Sequence, residues 1–71
     1  MNIQRILENK FYILYKRILE KNEIMNKYVI YSSEEYNHDY FQDFNNLRQA
    51  KSVFNKITKE AIEYEKELYC L

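Results

Sequence analysis

The chain has 71 residues, with eleven basic and eleven acidic side chains, one histidine, one cysteine, and neither glycine nor proline. That length fits one small domain over residues 1–71, and a lone cysteine with a lone histidine excludes an internal disulfide and a structural zinc set. Missing glycine also excludes a glycine-rich phosphate loop and, with proline, favours long helices and few tight turns, although A/T-rich codon usage depletes both residues anyway.

Residues 3–21 read as a first helix. Ile3, Leu7, Phe11, Leu14 and Ile18 recur at steps of three and four, which places them on one helical stripe. Asn2 is a suitable N-cap. Apolar residues exceed what one stripe needs. Ile6 and Ile13 form a second seam, Tyr12 and Leu19 lie beyond it, and a surface helix normally keeps that side polar. Ile6, Ile13 and Leu19 are therefore the expected self-association residues. Lys10, Arg17 and Lys21 separate the two seams as a short basic line, joined by Lys27.

The middle of the chain favours strands. Tyr28-Val29-Ile30-Tyr31 is β-branched and aromatic, and Tyr36, Tyr40, Phe41 and Phe44 continue that preference. Strands near 27–33 and 37–43 would pair across a turn at Ser33 to Tyr36. The alternative is helical, with a capping box from Ser32 and Glu35. Residues 45–70 read as the last helix, capped by Asn45 or Asn46. Its stripe is Leu47, Ala50, Phe54, Ile57, Ala61, Tyr64 and Leu68, with Lys56–Glu60 and Lys59–Glu63 spaced for ion pairs. The expected fold is α+β, a small α-β-β-α domain; the alternative is an all-α antiparallel helical hairpin.

No catalytic constellation emerges. His38 and Asp39 are adjacent, so on a strand they point to opposite faces, and no serine or cysteine completes a triad. Cys70 sits among glutamates that would raise its pKa. No cofactor, metal or enzymatic activity is expected. There is no apolar run long enough to span a bilayer and no signal-peptide pattern, so a cytoplasmic location is expected, without membrane association.

Charge is uneven: residues 1–31 carry six basic and three acidic side chains, and residues 32–71 carry five and eight. This imbalance is too mild to indicate nucleic-acid binding. Glu35, Asp39 and Asp43 would share one strand face, and Glu60, Glu63 and Glu67 crowd a helix C-terminal half whose dipole disfavours anions. These six acids are the expected contacts to a protein partner with a basic surface. Eight tyrosines suit either core packing or a recognition surface. In composition the chain resembles small proteins of phages and mobile elements with A/T-rich genomes. That resemblance implies a non-enzymatic binding protein, such as an anti-CRISPR-like inhibitor of a host protein or CRISPR effector. A nucleic-acid-binding regulator and a structural homo-oligomer are the alternatives.

Overall fold

The computed structural model describes residues 2–20, 26–36 and 38–69. Their order is β1 (Asn2–Glu8), β2 (Tyr12–Ile18), β3 (Tyr28–Ser32), β4 (Phe41–Phe44) and α1 (Leu47–Tyr69). The strands form an antiparallel meander in the order β1-β2-β3-β4, and α1 packs on β2, β3 and β4. The fold is α+β, with a single helix among the described residues.

The first helix expected over residues 3–21 does not form; β1 and β2 occupy its place. Ile3, Ile6, Tyr12, Ile13, Tyr15 and Ile18 are β-branched or aromatic, and the segment alternates once it is folded as a hairpin. Tyr12 and Leu14 are buried against the helix, whereas Ile13 and Tyr15 are half-buried on the other face. The surplus apolar surface that no helix could hide belongs to a two-sided sheet.

Asparagine replaces glycine in the turn. Asn9 Oδ1 accepts hydrogen bonds from the Phe11 and Tyr12 amides at 2.8 and 3.0 Å, and the Asn9 amide donates to the Tyr12 carbonyl at 3.0 Å. An Asx turn of this kind lets a side chain imitate the backbone of a tight turn. Asn9 Nδ2 also donates to Thr58 Oγ1 at 2.9 Å, which ties the hairpin tip to α1.

A β3–β4 hairpin forms where strands near 27–33 and 37–43 were expected, but it is shorter: β4 begins only at Phe41, and Glu34–Tyr36 make a turn well before it. Ser33 Oγ organises its start, donating to the Lys10 carbonyl and accepting from the Tyr36 amide at 3.1 Å. The helical alternative for this segment is overturned. Asn46 caps α1, its Oδ1 accepting from the Gln49 amide at 3.1 Å.

The core lies between sheet and helix. Leu14, Ile30, Phe44, Ala50, Phe54 and Ala61 are buried there with Phe11 and Tyr12. A bulge between Arg5 and Leu7 brings consecutive residues Ile6 and Leu7 against this core. Beyond Ala61 the helix keeps its apolar stripe but loses its cover. Tyr64 and Leu68 are both 52% exposed.

Candidate functional site

The side of the sheet away from α1 carries a continuous surface of named side chains. Cross-strand register places Glu8, Ile13, Tyr31 and Phe41 in one row, and Arg5, Tyr15, Val29 and Asp43 in the next. Ile3 and Arg17 begin a third. Alternation along each strand sends these residues to one face and Tyr12, Leu14 and Ile30 to the other.

Aromatic contacts knit this face together. Tyr15 meets Tyr31 edge-to-face at 5.8 Å, and Tyr31 meets Phe41 at 5.2 Å. The Arg5 guanidinium sits 5.9 Å from the Tyr15 ring centre and that of Arg17 6.0 Å from Phe41. Ile3 is 52%, Phe41 56% and Tyr31 36% exposed, so the patch is apolar and open. Beside it a concavity of about 720 Å³ is lined by Ile13, Tyr15, Tyr31, Ser32 and Glu34 among others.

The two arginines on this face are neutralised. Arg5 donates to Glu8 at 2.9 Å on the exposed edge strand. Arg17 donates to Asp43 through two nitrogens at 3.1 and 3.4 Å and to the Asn26 carbonyl at 2.8 Å. Its bond to Asp43, ahead of the opposing effect of burial, holds the Arg17 pKa above the usual arginine value. Because β3 lies between β2 and β4, this pair bridges over it. Val29 faces that bridge and is fully buried although it lies outside the helix-side core.

The expected partner acids do not form one surface. β4 begins only at Phe41, so Glu35 falls in the turn, Asp39 in the following loop and Asp43 in the ion pair with Arg17. The strand-face row of these three acids therefore does not exist. Glu60, Glu63 and Glu67 are exposed on one stripe of α1. The spacings Lys56–Glu60 and Lys59–Glu63 give no ion pair among the described residues.

The expected self-association seam is likewise dispersed, because it required the missing helix. Ile6 packs against the core at the bulge, Ile13 belongs to the open sheet face, and Leu19 follows β2, half-buried. The basic line is broken too, with Lys10 bonded to Glu65 at 2.8 Å and Arg17 to Asp43. Lys21 and Cys70 lie outside the described residues.

His38 stacks on Tyr36 at 4.0 Å, and Asp39 is exposed beside it. Among the described residues no three His, Cys, Asp or Glu side chains are grouped to hold a metal ion. No helix among them is long and apolar enough to cross a membrane.

The open face was missed by sequence reasoning. The available signal was alternation in Tyr12–Ile18, where Ile13, Tyr15 and Arg17 separate from Tyr12 and Leu14. Comparison with known proteins finds no family, no curated protein and no solved structure that matches the chain.

Proposed function

We propose that this protein is a non-enzymatic protein-binding module whose contact surface is the open face of the sheet. The observation that carries this reading is the contiguous patch of Ile3, Ile13, Tyr15, Tyr31 and Phe41, framed by charges that pair with one another. An aromatic centre with a polar, arginine-bearing rim is the anatomy of a protein–protein contact. The acidic stripe Glu60, Glu63, Glu67 remains a second contact region, on the helix rather than on the sheet.

A row of aromatic rings on neighbouring strands is also how single-stranded nucleic acids are stacked. Two observations favour protein. The rings already engage one another edge-to-face, and both guanidiniums on this face are held by carboxylates rather than available to phosphates. The chain also carries no net charge.

The test uses Phe41→Ser, which alters an exposed side chain. In affinity capture from the native host, a discrete protein retained by the wild type should be lost with this variant. Tight, salt-dependent binding of single-stranded DNA that Phe41→Ser abolishes would instead place the protein in the nucleic-acid class. If the captured protein is an enzyme or effector, titration with this protein should block it, as the inhibitor reading from composition expects.

A further inference from the structure

The row Glu8, Ile13, Tyr31 and Phe41 crosses all four strands of the open face, and its two ends differ in shape. At the β4 end Phe41 stands 56% exposed. Towards the β1 end lies the concavity of about 720 Å³, lined by Ile3, Glu8, Ile13 and Tyr31 among others and by no residue of β4. Knob and hollow thus occupy opposite ends of one row. A two-fold axis laid along the strands, in the plane between two facing copies, exchanges those ends. It sets Phe41 of each copy over the β1–β2 hollow of the other and Tyr31 opposite Ile13, with the two sheets aligned as in a sandwich.

Charge suits the same arrangement. Glu8 holds Arg5 and Asp43 holds Arg17 within each copy, and the chain carries no net charge. A row whose charges are already paired neither repels its own copy nor draws a strongly charged partner across it. Glu34 and Glu35 are exposed at the lip of the hollow, past the end of β3, where water reaches them.

We propose that the open face binds a second copy of this chain, Phe41 of each entering the β1–β2 hollow of the other. This pairing rests on the reading of that face as a contact surface and names an occupant for it. The strands are at most seven residues long. Set about 4.8 Å apart, they give a flat footprint of roughly 300 Å², against the roughly 800 Å² that each partner of a stable complex contributes. The pair is therefore reversible, with a dissociation constant of about 10–500 µM. At the dilution of a cell extract the copies part, and the same residues are free for another protein.

Sedimentation equilibrium of the full chain from about 5 µM to about 1 mM should show the mass rising from one chain towards two. Salt raised from about 0.1 to about 0.5 M should change this little. Phe41→Ser should weaken the association at least about tenfold, whereas Leu68→Ser, on the uncovered end of α1, should leave it unaltered. In a mixture of isotope-labelled and unlabelled chains, filtered NMR spectra should connect the Phe41 ring of one copy to the Ile13 methyls of the other. Within one chain Tyr31 separates these two residues. A mass of one chain up to about 1 mM overturns the proposal. Because the purified chain is tested alone, that failure leaves the capture of a different protein on this face untouched. The pairing is equally overturned by a steep loss with salt, by growth beyond two chains, or by a dimer without the Phe41–Ile13 contact. So it is by association that Leu68→Ser abolishes, or that Phe41→Ser leaves intact with a native amide fingerprint.

Discussion

Arg17 on β2 holds Asp43 on β4 through two hydrogen bonds of 3.1 and 3.4 Å that pass across β3. Arg17 is only 7% exposed and also donates to the Asn26 carbonyl, so its charge is compensated on two sides. The pair fastens three strands on a face that has no helix over it, and Val29 beneath it is dry.

Removing one partner should therefore cost more than removing both. Arg17→Ala leaves a part-buried carboxylate unpaired and uncovers Val29. We expect a loss of about 2–4 kcal/mol, below the full value for a buried pair because Asp43 retains solvent contact. The double variant Arg17→Met/Asp43→Leu should recover most of that loss, since apolar groups of similar volume replace the pair without stranding a charge. Urea denaturation of the single and double variants checks both expectations.

The β1–β2 turn rests on one side chain. Asn9→Ala removes the single oxygen that accepts from the Phe11 and Tyr12 amides, and the link to Thr58, and should destabilise the chain by about 1–2 kcal/mol. Thr58→Val removes only the link and should cost less, about 0.5–1.5 kcal/mol. Thermal melting of the two variants separates turn from anchor.

This turn also explains what the sequence made legible. The last helix, its Asn46 cap and the β3–β4 hairpin could be read, because Leu47–Ala61 is periodic and Tyr28–Tyr31 is uniformly β-favouring. Residues 3–18 misled because Ile3, Leu7, Phe11, Leu14 and Ile18 fit a helical stripe by spacing. Without glycine between them there was no obvious hairpin, yet Asn9 supplies the turn by hydrogen bonding. The expected self-association seam of Ile6, Ile13 and Leu19 rests on that helix, whereas in the hairpin Ile13 lies on the open face and Tyr12 on the opposite, core face of one strand. The open face was hidden for the same reason, since Tyr15, Tyr31 and Phe41 meet only through strand register.

Alkaline pH should destabilise the fold. Tyr12 and Tyr40 have folded pKa values raised above the unfolded one, so the folded chain holds its protons where the unfolded chain releases them. Their contribution is complete below about pH 10, the unfolded tyrosine value, and is lost as pH rises through the folded values. Melting temperatures measured from pH 9 to 11 should fall, and Tyr40→Phe should flatten that fall. Ultraviolet titration should show late-ionising tyrosines in the wild type that Tyr40→Phe reduces.

The most direct test of the open face as the binding surface is site-specific photocrosslinking in the native host. Placing p-benzoylphenylalanine at position 41 puts the reactive group on the open sheet face, and placing it at position 55 puts it on an exposed part of the helix outside the acidic stripe. The account predicts a discrete adduct with one protein from position 41, absent from position 55 and competed away by excess unlabelled protein. Adducts from position 55 alone, or adducts from position 41 only to nucleic acid, would contradict it.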